Sequence, residues 1–318
     1  MIRPFCIGVS DGKICRLMQK REMLPRGGGG GDGMMEFRTA GDARFTRLVE
    51  TTDAGGVIMK IVGEMTPEAM RPYAAVFPEC VDASGTVLAP VQSFLLFADG
   101  KRILIDACSG NEKPLGGIWG NLHTDFFERL SALTPPEDID FVICTHFHGD
   151  HVGWNTRLVD GRWIPAFPNA AYIFSAAEIE RIRAILPRLD ATGFAVWRDS
   201  VEPILESGQA RLVADDAALT PSVRLVPTPG HTAHHLAVSL CGEKSVLFCG
   251  DLFYHACQIE HPDWGAKTNP TLLATRLRVL ADAAANGTLL FFGHAPYPLK
   301  VSRKAGGYTA QPVRELTL

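Results

Sequence analysis

The chain has 318 residues, 46% of them hydrophobic, and a formal net charge of −4. That apolar content can bury a large core, in one big domain or two smaller ones. The charge gives no general attraction to phosphate backbones or anionic lipid, and no basic block interleaved with aromatic residues marks a nucleic-acid surface. No apolar run reaches the roughly 18–20 residues that cross a bilayer, and the N-terminus lacks the hydrophobic stretch and cleavage site of a secretory signal. The cysteines Cys6, Cys15, Cys80, Cys108, Cys144, Cys241, Cys249 and Cys257 form no CxxC pair, and several lie in apolar runs. They read as small buried hydrophobes in a reducing compartment, which makes the cytoplasm the expected location.

Residues 1–33 differ in composition from the rest of the chain. The run Gly27 to Gly31 comes after the basic Lys20-Arg21 and Pro25-Arg26. Such a stretch loses much entropy on ordering and has little to bury, so a flexible tail is expected, with one domain over 34–318. The glycines lack the GxxxxGK[ST] order of a phosphate loop.

From Phe37 onward strand-like segments alternate with turns. Phe45 to Val49 and Val57 to Val62 read as strands, and residues 64–90, rich in Pro and small residues, read as a loop or flap. Gln92 to Ala98, Asp99-Gly100 and Arg102 to Ile105 form a hairpin pattern, because Asp-Gly supplies the positive φ angles of a tight turn. Leu122, Phe126, Phe127, Leu130 and Leu133 fall at helical spacing, and Pro135-Pro136 stops that helix. Ile139 to Thr145 is the next strand, and Tyr172-Ile173-Phe174 a short one after it. Ser175 with Glu178 three positions on suggests a capping box; Ile179, Ile182 and Leu186 supply the buried face of the helix, and Pro187 closes it. Residues 188–222 read as loops and a helical piece over one side of the site. Val223 to Val226, Leu236 to Leu240, Ser245 to Cys249 and Leu289 to Phe292 complete the strands. Thr271 to Ala285 is helical by pattern, with Asn286-Gly287 as its stop. The alternation indicates an α/β chain.

The chemistry concentrates in Thr145-His146-Phe147-His148-Gly149-Asp150-His151. Side chains repeat every two residues in extended chain, so His146 and His148 can point to one side, while Gly149 lets Asp150 and His151 approach from another. Neutral imidazoles with an oxygen ligand suit zinc or another first-row metal. Later strands end in the same kind of residue: Pro229-Gly230-His231-Thr232, Gly250-Asp251 and Gly293-His294. No GxSxG elbow is present to support a serine hydrolase.

HxHxDH followed by PGHT, GD and GH, each at a strand end, resembles the metallo-β-lactamase superfamily over roughly residues 37–310. The resemblance implies an αββα sandwich and two metal ions, zinc or other divalent first-row metals. His146, His148 and His231 would hold the first ion, Asp150, His151 and His294 the second, with Asp251 bridging. It implies a hydrolase whose metal-bound hydroxide opens a lactone or related ester, with Asp150 passing a proton to the leaving alkoxide. Asp251-Leu-Phe-Tyr254 resembles N-acyl-homoserine lactonases, in which a tyrosine lies three residues after the bridging aspartate; Tyr254 would polarise the carbonyl. Phe167-Pro168-Asn169-Ala170 and the tail around Pro298 and Gly307-Tyr308 resemble methyl parathion hydrolase, so an organophosphate or aryl-ester hydrolase is the alternative. A non-catalytic metal-binding sensor is a third reading, against which the full ligand set argues. The partner implied is a small-molecule ester or lactone, neither nucleic acid nor membrane, and family likeness makes a homodimer plausible. Asp106 is a candidate to orient a ligating histidine, and His234 and His235 fall outside the ligand positions. Trp119, Trp154, Phe147 and Trp264 are candidates to line an apolar pocket.

Overall fold

A computed structural model describes residues 35–38, 43–242 and 245–314. The tail expected over 1–33, with Cys6 and Cys15, lies outside the described residues. The first half contains β1 (Met35–Arg38), β2 (Arg44–Thr51), β3 (Val91–Ala98), β4 (Lys101–Ile105) and β5 (Phe141–Ile143). A separate hairpin of β6 (Thr156–Val159) and β7 (Arg162–Pro165) comes next, then β8 (Ala171–Ser175) and β9 (Ala210–Val213). The second half contributes β10 (Val223–Pro227), β11 (Leu236–Leu240), β12 (Val246–Phe248), β13 (Leu289–Phe291), β14 (Leu299–Lys304) and β15 (Gly307–Pro312).

These strands build two mixed sheets, ordered β1-β2-β3-β4-β5-β8-β9 and β10-β11-β12-β13-β14-β15. In the first, β1 to β4 are antiparallel and β4, β5, β8 and β9 run parallel. In the second, only β12 and β13 are parallel. Side-chain alternation explains why two sheets are needed. Along β3, Phe94 and Leu96 join one buried cluster while Leu95 packs against another; Ile103, Ile105 and Leu104 on β4 divide in the same way. A strand buried on both faces requires two layers to cover it. The shared cluster holds Phe45, Phe94 and Ile143 from the first sheet, and Val238, Phe248 and Phe291 from the second. Ring centroids lie 5.0 Å apart for Phe45–Phe248 and 4.5 Å apart for Phe94–Phe291. The sheets therefore stack face to face, as an αββα sandwich requires, and the other faces pack into the cluster that contains the helices' apolar sides.

Most expected elements form where their patterns place them. The Asp99-Gly100 turn has φ values of 52° and 73°. The helix expected to end at Asn286-Gly287 spans Pro270–Asn286, is capped by Asn269, which accepts from the Leu272 N–H at 3.0 Å, and stops on Gly287 at φ 69°. Its buried Arg276 donates to the carbonyls of Leu252 and Trp264, both at 2.7 Å. That ties the helix to the turn after β12.

Val57 to Val62 is a correction. The segment belongs to a helix, Gly55–Ile61, although its β-branched residues favour a strand. Tertiary fit overrides that preference: Ile58 is buried, and a Cβ on Gly55 would lie 1.8 Å from the Val87 carbonyl oxygen. The helix expected over Leu122 to Leu133 is confined to Phe126–Leu133. Residues 64–90 include two short helices, Pro67–Met70 and Arg71–Tyr73. Cys80, Cys108, Cys144, Cys249 and Cys257 are buried as expected, whereas Cys241 is exposed.

Phe248 lies at the centre of the inter-sheet layer, so Phe248→Ala should lower unfolding stability by about 3–5 kcal/mol. Chemical denaturation measures it; a loss below about 1 kcal/mol would show that this ring does not join the sheets.

Candidate metal centre

The site forms where strand ends converge. β5 ends at Ile143 and delivers Thr145 to His148; a short helical turn, Gly149–Val152, then turns Asp150 and His151 inward. β10 leads to His231, β12 to Asp251 and β13 to His294. Gly250 holds φ 49°, and a Cβ there would lie 2.7 Å from Nε2 of His235 and 2.8 Å from the Thr145 hydroxyl. Glycine lets the turn carrying Asp251 press against the β5 loop.

All seven residues expected from the sequence come together in two groups. His146, His148, His231 and Asp251 form one; Asp150, His151 and His294 form the other, with ligand-type atoms within 4.8 Å of one another in each. Asp251 stands between them. Its Oδ2 is 3.5 Å from Nε2 of His231, while its Oδ1 is 3.1 Å from Nε2 of His151 and 3.2 Å from Nε2 of His294.

The outer hydrogen bonds decide which ring nitrogens are bare. Nδ1 of His151 donates to Asp106 Oδ2 at 2.8 Å, and Nδ1 of His294 donates to the Pro90 carbonyl at 2.7 Å. The Thr145 hydroxyl donates to Asp106 Oδ2 at 2.9 Å, so it accepts from Nδ1 of His146 at 3.1 Å. In their neutral forms these three rings therefore turn unprotonated Nε2 atoms inward. Nε2 of His231 lies 3.1 Å from Nε2 of His146 and 2.9 Å from Nδ1 of His148. Imidazole nitrogens and a carboxylate converging at such distances form a donor set that could hold a cation. Nε2 of His151 and Oδ1 of Asp251 are buried without a hydrogen-bond partner, as ligand atoms for an ion would be. The donor set of imidazole and carboxylate fits zinc.

The electrostatics point the same way. Burial opposes charge on His151, yet Asp251, Asp106 and Asp150 outweigh it and hold its pKa well above the ordinary imidazole value. Burial likewise works against ionised Asp251, but His151 and His294 hold it well below the usual carboxylate range. Burial, with the neighbouring histidines, holds His146 well below the ordinary imidazole value, so it stays in the neutral form that can ligate a metal.

Other candidates sort clearly. Asp106 orients His151 and also accepts from the Thr145 N–H at 2.8 Å. His235, fully buried, accepts from the Asp251 N–H at 3.1 Å through Nε2, and burial pushes its pKa down to about 3. His234 pairs with Asp215 at 2.9 Å and belongs to neither group. The Tyr254 hydroxyl lies 3.2 Å from Nδ1 of His231. Trp119 and Phe147 line the cavity over the cluster, about 640 Å³ in volume. Trp154 does not: its indole N–H donates to Glu50 at 2.6 Å inside the core. Trp264 stacks on His261 at a separate surface groove.

Sequence reasoning reaches the cavity's other wall only in part. Val57, Ile58 and Ile61 read as a strand but line it from a helix, whereas Leu189, Val196 and Trp197 fall in 188–222, the stretch expected over one side of the site, and line it as well. Arg181 and Glu178 line it as well. Their spacing on the helix Ala176–Ile185, one turn apart, is the available signal.

Asp106 has φ 56°, a conformation that Asn also tolerates. Asp106→Asn should therefore preserve the fold while weakening metal affinity about 10–100-fold, through loss of the acceptor that fixes His151. Chelator competition alongside circular dichroism checks this, and unchanged affinity would remove Asp106 from the role.

Residues 87–294 match the family model described as the Metallo-beta-lactamase superfamily. An N-acyl homoserine lactonase of Bacillus cereus is 28% identical over 224 residues, covering 64% of this chain and 81% of that protein. The chain spans 57% and 61% of the length of two further curated relatives. The solved structure of hydrolase AbOPH, of the beta lactamase superfamily, superposes with a TM-score of 0.69 at 21% identity, covering 90% of this chain and 99% of that one. AidC, described as a dizinc quorum-quenching lactonase, superposes with a TM-score of 0.65 at 18% identity, over 90% and 99%. Among the described residues no helix is long and apolar enough to cross a membrane. With its two-sheet sandwich and its clustered histidines and aspartates, this chain belongs to the metallo-beta-lactamase superfamily, as a metal-dependent hydrolase.

Proposed function

We propose that the protein is a dinuclear zinc-dependent hydrolase that opens a lactone or a closely related ester. The observation that carries this reading is the placement of Tyr254. Three residues after Asp251, it is 6% exposed, lines the cavity, and puts its hydroxyl 3.2 Å from Nδ1 of His231. The Bacillus cereus relative is named as an N-acyl homoserine lactonase, which supports the same substrate class.

His146, His148 and His231 would hold one zinc ion, Asp150, His151 and His294 the other, with Asp251 shared. Ions there would supply Lewis acidity and a nucleophile at neutral pH. The chain's own residues supply the rest. Burial, with Asp251 and Asp150, pushes the Tyr254 phenol well above its ordinary pKa, so it stays protonated and able to donate. A donor aimed at the carbonyl oxygen gains most when negative charge gathers there, and therefore accelerates the reaction rather than merely binding substrate. Asp150, with its side chain 11% exposed at the cavity, is positioned to carry a proton to the departing alkoxide. Val57, Ile61, Ile185 and Leu189 give the cavity an apolar wall that suits an acyl chain.

A panel of lactones, paraoxon-like phosphotriesters and aryl esters tests the reading on zinc-loaded protein. Lactones should be preferred by about 100-fold or more in kcat/KM, a gap of at least about 2.7 kcal/mol in transition-state binding. A phosphotriester preference would instead establish the organophosphate reading, and absence of turnover on every class would favour a binding protein. Within the lactonase reading, Tyr254→Phe should lower kcat by about 10²-fold and leave KM nearly unchanged, the pattern of a lost oxyanion donor. A change confined to KM would show that Tyr254 only packs against substrate.

A further inference from the structure

The helix Ala176–Ile185 begins where β8 ends, and β8 lies parallel and adjacent to β5, whose end delivers the histidine cluster. Its first turns therefore stand beside the metal-type residues. The Ser175 hydroxyl accepts from the Glu178 N–H at 3.1 Å, as a cap should, but Glu178 does not complete the capping box. Its carboxylate, with a side chain only 2% exposed, gives both oxygens to Arg181: Oε2 to Nε at 2.9 Å and Oε1 to Nη2 at 2.7 Å. A bidentate pair of this kind fixes the guanidinium plane.

A guanidinium carries five N–H donors. Glu178 takes two of Arg181's, and no other partner holds the remainder among the described residues. Arg181 lines the same cavity as His148, His231 and Asp251, with its side chain 35% exposed, and it is the only lysine or arginine among the described residues that does so. Its neighbours on that face of the helix, Ile182 and Ile185, are apolar. The pair is electrically neutral overall, so it offers little long-range attraction for an anion. What it offers is a rigid donor set beside the apolar Ile182, Ile185 and Leu189, in a cavity whose other charged side chains are carboxylates, Asp190 among them; that disfavours an anion and matches a neutral acceptor on a hydrocarbon chain.

We propose that Arg181, held by Glu178, is a specificity-determining residue that binds a carbonyl oxygen in the acyl arm of the substrate, as in an amide linking the lactone ring to its chain. The assignment rests on the lactone reading above and deepens it. Arg181 acts on substrate binding, and Glu178 positions Arg181. A substrate without that carbonyl leaves the donors facing hydrocarbon and is selected against.

The test compares N-hexanoyl-homoserine lactone with α-hexyl-γ-butyrolactone, which carries an alkyl chain on the same ring carbon and no amide. The probe proteins are the wild type, Arg181→Met, Arg181→Lys and the double variant Glu178→Gln/Arg181→Met. The double variant avoids leaving a buried carboxylate unpaired and stands in if Arg181→Met fails to fold. Wild type should prefer the amide lactone. Both methionine variants should lose about 10–100-fold in kcat/KM on it, mainly through KM, and stay within about twofold on the alkyl lactone. Arg181→Lys should recover part of the loss. Equal losses on both lactones, a loss carried by kcat, or no loss in the double variant would overturn the assignment. If wild type opens neither lactone, the lactone reading fails by itself. Calorimetric binding of ring-opened N-hexanoyl-homoserine then decides the subsite: tighter binding to wild type than to the double variant supports it, and equal binding overturns it.

Discussion

A buried carboxylate surrounded by imidazole nitrogens is the constraint around which this fold is arranged. Asp251 is 4% exposed, and its two oxygens face histidines contributed by different strand ends. Burying such a group is costly unless positive charge compensates it. The fold meets this condition with a shell of hydrogen bonds that fixes each ring. Asp106, Thr145 and the Pro90 carbonyl set the tautomers of His151, His146 and His294, and His235 holds the Asp251 backbone. These outer partners lie in loops that follow or precede sheet strands, so the sandwich beneath them determines how accurately the inner atoms converge.

The metal-type residues are legible in the sequence because their spacing is local and chemically unusual. His146, His148, Asp150 and His151 fall within six positions, and the other three come after short apolar runs ending in glycine-containing turns. The strands are legible for a related reason: burial on both faces leaves continuous apolar stretches such as Val246-Leu247-Phe248. The cavity wall is legible only in part: the stretch 188–222 is expected over the site, but its individual elements are not. A strand reading of Val57 to Val62 rests on β-branched content, whereas the observed helix depends on the close approach of Gly55 to Val87, a contact between residues 32 positions apart. The stretch 188–222 holds short helical segments joined without strong breaks, among them a π-helical turn at Trp197–Val201. Its placement follows from packing against the rest of the molecule, not from its own periodicity. Tryptophans illustrate the same limit. Trp119 and Trp154 have equal claims by composition, but Trp154 is drawn inward by the buried Glu50, while Trp119 remains at the cavity.

The cavity therefore divides into two kinds of surface with different origins. Its floor comes from strand ends and carries the ligand-type residues. Its walls come from helices and intervening segments, and they carry the apolar residues and Arg181. Changes in the walls can alter which substrate fits while the sheets keep the floor unchanged. A rigid scaffold supporting variable surroundings is a common physical basis for diverse substrates on one fold.

The division of the ligands between the two sheets has a mechanical consequence. His148 and His231 are separated by 83 positions in sequence, yet their ring nitrogens lie 2.9 Å apart. An ion held by both would act as a staple closing a long chain loop, restricting the unfolded chain much as a disulfide does. The described cysteines are all free, so they supply no such closure. Unlike a disulfide, this staple would tighten or loosen with free metal concentration, coupling the resistance of the whole sandwich to unfolding to the supply of metal in its surroundings.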